Sequence, residues 1–223
     1  METSLHADPE DLARAAADLF QQAAEEAIEH RGWFAVAFSG GSGPWEALRE
    51  FARRPVDWSK VYVFQVDERA APDGSEERNW THLTTNFLDP ADVPPVQRHP
   101  MPVLAPEEEA LTAYETVLHA ACGTPVVFDL VHLGVGLDGH TASLLPGDPV
   151  LDVTDRDIAW SGPYQGTRRM TLTFPALARA KRIVWIVRGA DKQRVVERLQ
   201  AGDPSIPAGR VPQERATLLY CPA

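Results

Sequence analysis

The residues best suited to chemistry lie in Gly134-Val135-Gly136-Leu137-Asp138-Gly139-His140-Thr141-Ala142-Ser143, where a histidine stands two positions from a carboxylate in a glycine-rich run. An imidazole titrates near neutrality, so His140 can serve as a general base at physiological pH. Two roles are open to Asp138: orienting that imidazole, or accepting a hydroxyl from a substrate. No other His or Cys stands at a spacing that would complete a metal site with His140. The letters Gly134-x-Gly136-x-x-Gly139 match the dinucleotide fingerprint, but the fingerprint needs a long helix directly after it. Here Pro146-Gly147 arrives within seven residues of His140. Asp138 would also place a negative charge among the amides meant for a pyrophosphate. The other histidines lack such a setting. His6 and His30 lie near the ends of the first helix and His119 lies inside another. His132 precedes the loop on a strand, where it faces packing or backs the site.

A second set of residues suits an anion. Ser39-Gly40-Gly41-Ser42-Gly43-Pro44 joins an apolar run to a helix start. Glycines let successive backbone N–H groups turn inward, and the helix end adds partial positive charge. The turn is not a P-loop, because no Gly-Lys-Ser/Thr follows, and not a nucleophile elbow, because Pro44 stands where Gly is needed. The segment makes a good cradle for one phosphate, to which Ser42 adds a hydroxyl donor, and a ligand-free strand-to-helix turn is the alternative reading. Later in the chain, Arg168 and Arg169 open a strand and Lys192 opens a helix. A cation is unfavourable at a helix N-terminus unless an anion lies nearby. Val66-Asp67-Glu68-Arg69 puts three charges directly after an apolar strand, where they form either an ordinary solvated loop or part of a site.

These segments must be held by elements the pattern also predicts. Asp8-Pro9 opens a helix in which Leu12, Ala16, Leu19, Phe20, Ala23 and Ala27 recur at helical spacing until Gly32. Buried strands are expected at 33–38, 61–66, 126–133 and 182–187, each an apolar run without alternation. Arg169 to Thr173 alternates like a strand, and 217–220 can form a last one. Helices are expected from Pro44 to about Arg54, over 79–87, over 106–121 and over 191–200. Residues 89–106 read as a crossing loop and 146–167 as turn-rich, with room for short strands. Strands alternating with helices predict an α/β fold with a mostly parallel sheet and helices on both faces. In such sheets ligands bind at the carboxyl ends of the strands, so the polar segments above should converge on one crevice.

Composition narrows the functional classes. The chain has 223 residues, which suits one domain over 1–223. Its formal charge of −11 argues against a nucleic-acid footprint. No run approaches the length needed to span a bilayer, and Met1 to Pro9 is acidic and polar, unlike a signal peptide. Only Cys122 and Cys221 are present, too few for a disulfide framework, and a reducing, cytoplasmic location is expected.

The motifs together resemble the 6-phosphogluconolactonase family. The resemblance rests on Ser39-Gly40-Gly41-Ser42, Val66-Asp67-Glu68-Arg69, the block from Leu133 to Gly147, Arg169-x-Thr171-Leu172-Thr173-x-Pro175, Gly189-x-x-Lys192 and Ser205-Ile206-Pro207-Ala208. It spans residue 33 to about residue 210, and its most specific part is Asp138-Gly139-His140-Thr141-Ala142-Ser143. The resemblance implies a Rossmann-like fold shared with glucosamine-6-phosphate deaminases. It implies hydrolysis of 6-phospho-D-glucono-1,5-lactone to 6-phosphogluconate in the oxidative pentose phosphate pathway, with no metal and no cofactor. It implies that His140 activates water, and that the Gly40-Gly41-Ser42 turn, Arg169 and Lys192 hold the phosphate. Asp67 and Arg69 join the substrate site, with Arg69 on either the phosphate or the lactone side. Two positions depart from the family pattern: Gly43 replaces a Thr, and Arg78 replaces a Ser, which weakens a ligand role for Asn79. Deaminases of the same fold are expected to carry Glu five positions after the histidine and Tyr after the Asp-Glu pair. Here those positions hold Leu145 and Arg69. A sugar-phosphate sensor is the third reading, and it would be expected to carry a DNA-binding segment that the acidic N-terminal helix does not resemble.

Overall fold

The computed structural model describes residues 1–41 and 43–223. Nine strands follow in chain order: β1 (Glu2–Leu5), β2 (Phe34–Phe38), β3 (Val61–Gln65), β4 (Asp67–Arg69), β5 (Leu130–Leu133), β6 (Ile158–Tyr164), β7 (Thr167–Leu172), β8 (Ile183–Arg188) and β9 (Ala216–Cys221). Six of them form one sheet in the order β1-β9-β8-β5-β2-β3, and every pairing in it is parallel. The other three form a small antiparallel sheet, β4-β7-β6.

Helices cover both faces of the large sheet, as the alternation of strands and helices predicts. α1 (Pro9–Arg31), α2 (Trp45–Ala52) and α3 (Asn79–Leu83) lie on one side. α4 (Glu107–Cys122), α5 (Phe174–Arg179) and α6 (Gln193–Gln200) lie on the other. Side chains alternate across β2, so Phe34, Val36 and Phe38 face α1 while Ala35 and Ala37 face α4. α1 starts where its cap predicts, with the Asp8 carboxylate accepting the Asp11 N–H at 2.8 Å. It ends at Gly32, whose φ of +90° suits glycine. Phe20, fully buried on α1, meets Phe38 and Phe51 edge-on at 5.4 and 5.5 Å, a geometry that aromatic quadrupoles favour.

Several expectations need correction. The apolar run 126–133 pairs as a strand only over Leu130–Leu133. Val126 and Phe128 are buried, but the Val127 N–H returns to the Cys122 carbonyl, so this stretch wraps the end of α4. The helix expected over 79–87 is an α-turn followed by a π-helical turn, Thr84–Leu88. The polar segment Glu2–Leu5 is an edge strand, and 158–164 is a full strand within the turn-rich region. Asp67-Glu68-Arg69 is strand as well. Glu68 is fully buried, and its carboxylate accepts from Gln65 Nε2 and the N–H groups of Arg69, Asn79 and Trp80, each at 2.8 Å. The Arg78 guanidinium pairs with it at 2.9 Å. That degree of pairing is what lets a carboxylate lie in the interior. The two cysteines are buried and unpaired, and no helix among the described residues is long and apolar enough to cross a membrane.

Candidate active site

The chain leaves β2, β3, β5 and β8 at the same edge of the parallel sheet. The segments that follow enclose a cleft of about 610 Å³. This is the crevice position that open α/β sheets use for ligands.

The first wall is the turn after β2. Gly41 has a φ of +99°, which a side chain would strain. Gly40 is needed for another reason: a Cβ there would overlap the side-chain amide of Asn79. The Ser39 N–H donates to His132 Nδ1 at 3.2 Å, which ties this turn to β5. Ser42, expected to add a hydroxyl here, lies outside the described residues. Gly43 and Pro44 carry the wall into the first turn of α2.

The second wall is the loop after β5. His140 Nδ1 lies 2.6 Å from Asp138 Oδ1, and the same oxygen accepts the His140 N–H at 3.1 Å. With Nδ1 so engaged, Nε2 is the ring nitrogen left for a ligand. Partial burial pushes the Asp138 carboxyl up, but the His140 N–H and imidazole outweigh it and hold the group below its ordinary value. Asp138 is therefore charged where it meets the ring. Gly136 lies under this pair, and a Cβ there would collide with both the imidazole and the carboxylate. The loop closes on itself through Gly136 N–H to the His140 carbonyl, 2.8 Å, and Gly139 N–H to the Gly136 carbonyl, 2.9 Å.

The third wall comes from the antiparallel sheet. Arg69 and Arg169 are directly opposite in the β4–β7 pairing. Like charges so placed repel. Arg169 is only 5% exposed, and its Nε has no hydrogen-bond partner among the described residues. Burial lowers its guanidinium pKa; Asp67 opposes that and the Arg69 charge adds to it. Arg69 is tethered, donating to the Glu77 carbonyl at 2.7 Å and to Asn79 Oδ1 at 3.2 Å. Asp67 is buried beneath them, accepting from Ser143 Oγ at 2.6 Å. Burial pushes its carboxyl up, against the pull of Ser143 and Arg169. From the turn after β8, Lys192 reaches across to donate to the Val135 carbonyl at 3.0 Å, and Arg188 at the end of β8 lines the same edge.

The cleft thus carries four cations, Arg69, Arg169, Arg188 and Lys192, against one lining carboxylate, Asp67. That local excess runs against the chain's charge of −11, a pattern suited to an anionic ligand. Gly40, Gly41, Asp67, Arg69, His140, Arg169 and Lys192 all line this single cleft, and Asp138 backs His140. Three polar lining residues stand outside the site set expected from sequence, although His132 was expected either to face packing or to back the site. Arg78 in place of Ser weakens a ligand role for Asn79 in the sequence, yet Arg78 turns away to Glu68 and Asp73, leaving Asn79 in the wall. Arg188 ends a buried strand next to Gly189, a position that could have been noticed. His132 is 1% exposed on the cleft floor, and burial pushes its pKa down to about 3, so it is neutral. Among the described residues no three His, Cys, Asp or Glu side chains gather as a metal site requires.

Fold and cleft together define a Rossmann-like α/β protein with a cation-lined crevice and a histidine–carboxylate pair at its rim. Comparison with known proteins makes this specific. The family model described as glucosamine-6-phosphate isomerases/6-phosphogluconolactonase matches residues 7–220. A 6-phosphogluconolactonase of Synechocystis sp. is 37% identical over 203 residues, covering 87% of this chain and 84% of that protein. One from Chlamydia muridarum is 36% identical, covering 84% of this chain and 74% of that protein. The crystal structure of a 6-phosphogluconolactonase from Thermotoga maritima superposes with a TM-score of 0.88 at 25% identity, covering 99% of this chain and 98% of that one. The chain belongs to the glucosamine-6-phosphate isomerase/6-phosphogluconolactonase family.

Proposed function

We propose that this protein hydrolyses 6-phospho-D-glucono-1,5-lactone to 6-phospho-D-gluconate in the cytoplasm, with His140 as the general base. The observation that carries the reading is the pairing, in one cleft, of a carboxylate-held imidazole with a wall of cations that includes the buried, unpartnered Arg169. A lactone is an activated ester, so a positioned water suffices as nucleophile. His140 Nε2 takes one proton from that water as its oxygen bonds to C1. The tetrahedral intermediate then collapses by breaking the bond from C1 to the ring oxygen. That oxygen takes the proton back from the imidazolium, and the new carboxylic acid ionises. Asp138 keeps the ring in one orientation and stabilises its charged form.

Arg169, Lys192, Arg69 and the Gly40-Gly41 amides are assigned to the phosphate end. The phosphate is remote from C1, so its binding energy serves to position the reacting carbon. The deaminase reading lacks a proton-transfer group: the position five after His140 is Leu145, which is buried. Purified protein should consume the phosphorylated lactone faster than the spontaneous rate and release no ammonia from glucosamine 6-phosphate. Ammonia release without lactone loss would reverse the assignment.

A further inference from the structure

The hairpin of β6 and β7 carries a residue that neither the motifs nor the cleft lining singles out. Ser161 is opposite Arg169, and Tyr164 is opposite Thr167. That is three steps along β6 (161 to 164) against two along β7 (169 to 167), so β6 contains one extra residue, a bulge. Side chains alternate along a strand, so Arg169 and Thr167 share one face of the sheet. The extra residue moves Tyr164 onto that same face; an unbulged strand would put Pro163 there and turn Tyr164 to the other side. The bulge is pinned. Asp148 Oδ2 accepts the Gly162 N–H at 2.8 Å, while Oδ1 accepts from Val150 at 2.9 Å. The hairpin end is equally fixed, with Gln165 and Gly166 both at positive φ, +53° and +82°, the conformation of a tight two-residue turn.

So aimed, the Tyr164 ring touches both halves of the site. Its centroid is 5.5 Å from that of His140, and the Arg169 guanidinium lies over it at 5.0 Å. No other aromatic ring among the described residues meets both groups. We propose that Tyr164 is a positioning residue that holds the His140 base and the Arg169 cation in one frame, so that phosphate capture sets the distance from C1 to the base. This rests on the lactonase reading above. The ring face, not the hydroxyl, does this, through cation–π attraction on Arg169 and ring packing on His140.

The test compares Y164L and Y164F with wild type on the phosphorylated lactone and on unphosphorylated glucono-1,5-lactone, beside H140N and R169M. For Y164L, kcat should fall and KM rise on the phosphorylated substrate, lowering kcat/KM roughly tenfold. On the unphosphorylated lactone only kcat should fall, because Arg169 has nothing to bind. Y164F keeps the ring and should recover most of the loss. Thermal midpoints of both variants near wild type would exclude a collapsed hairpin. The proposal is overturned if Y164L stays within about twofold of wild type, or if Y164F is no better than Y164L. If H140N and R169M also keep wild-type kcat/KM, the lactonase reading itself has failed; if only they lose it, the failure belongs to Tyr164 alone.

Discussion

Replacing Arg169 by Met removes a charge while keeping much of the stem volume, so it separates ligand binding from packing. In the unliganded protein three effects compete. The variant loses the contact of the guanidinium with the Tyr164 ring, at 5.0 Å, worth about 0.5–1 kcal/mol at a partly exposed ring. It gains relief from a like charge directly opposite, Arg69, which is of similar size, roughly 0.2–1 kcal/mol. It also leaves the buried Asp67 without a cation that offsets its burial, so that carboxyl should move further up. The first two nearly cancel, so the thermal midpoint should fall only by what the buried Asp67 carboxylate loses. With the phosphorylated lactone bound the balance changes, because Arg169 Nε is buried with no partner among the described residues and is free to donate to the phosphate. Losing one hydrogen bond to a charged group costs about 1.5–3 kcal/mol, equivalent to about 10- to 150-fold in kcat/KM. Steady-state kinetics on phosphorylated and unphosphorylated lactone would measure it, with inhibition by inorganic phosphate as a second readout. The loss should fall on the phosphorylated substrate alone, and phosphate should inhibit R169M more weakly. Equal losses on both substrates would show that Arg169 does not read the phosphate.

Three further outcomes are expected. G40A should lose about 1–3 kcal/mol by overpacking, because its new methyl meets the Asn79 amide; adding N79A should restore part of that stability, and strict additivity in urea melts would contradict the contact. D138N should lower kcat at least about tenfold with KM little changed if the carboxylate orients the base, whereas a raised KM with intact kcat would assign Asp138 to a substrate hydroxyl. His132 titrates from an ordinary 6.5 in the unfolded chain to about 3 in the fold. The unfolded state therefore binds the proton first, and stability tied to neutral His132 is full above 6.5 and lost as pH falls toward 3. H132L should flatten the fall in unfolding free energy across that window, and an unchanged slope would refute the burial argument.

Much of the site was legible because each polar segment follows an apolar run that only a doubly covered parallel strand would carry. Phe34–Phe38, Val61–Gln65 and Ile183–Arg188 fixed where the strands end, and the glycines and charges after them marked the crevice. The antiparallel sheet was legible only at Arg169 to Thr173, whose alternation matches β7, and not in β4 or in the pairing of its strands. Asp67-Glu68-Arg69 reads either as solvated loop or as part of a site, and only the donors gathered from Gln65, Arg78, Asn79 and Trp80 make Glu68 an interior residue. These partners come from separate segments, so no local pattern announces them. The run 126–133 misled for the converse reason: burial makes Val126 and Phe128 apolar whether or not their backbone joins a ladder. β1 was missed because an edge strand with an exposed face carries no apolar signature. Tyr164 depends on a bulge, a one-residue change of register that the sequence marks only by Pro163 and Gly166.

The central claim is that His140 draws the proton from the attacking water. H140N should lower kcat on 6-phospho-D-glucono-1,5-lactone by a factor of about 10²–10⁴, after subtraction of spontaneous hydrolysis. KM should change little, because the cations that hold the phosphate remain. The acid limb of the wild-type pH–rate profile should disappear in the variant. A folded H140N protein, checked by circular dichroism, with near wild-type kcat and an unchanged acid limb would contradict the account and move the base to a carboxylate, Asp138 or Asp67.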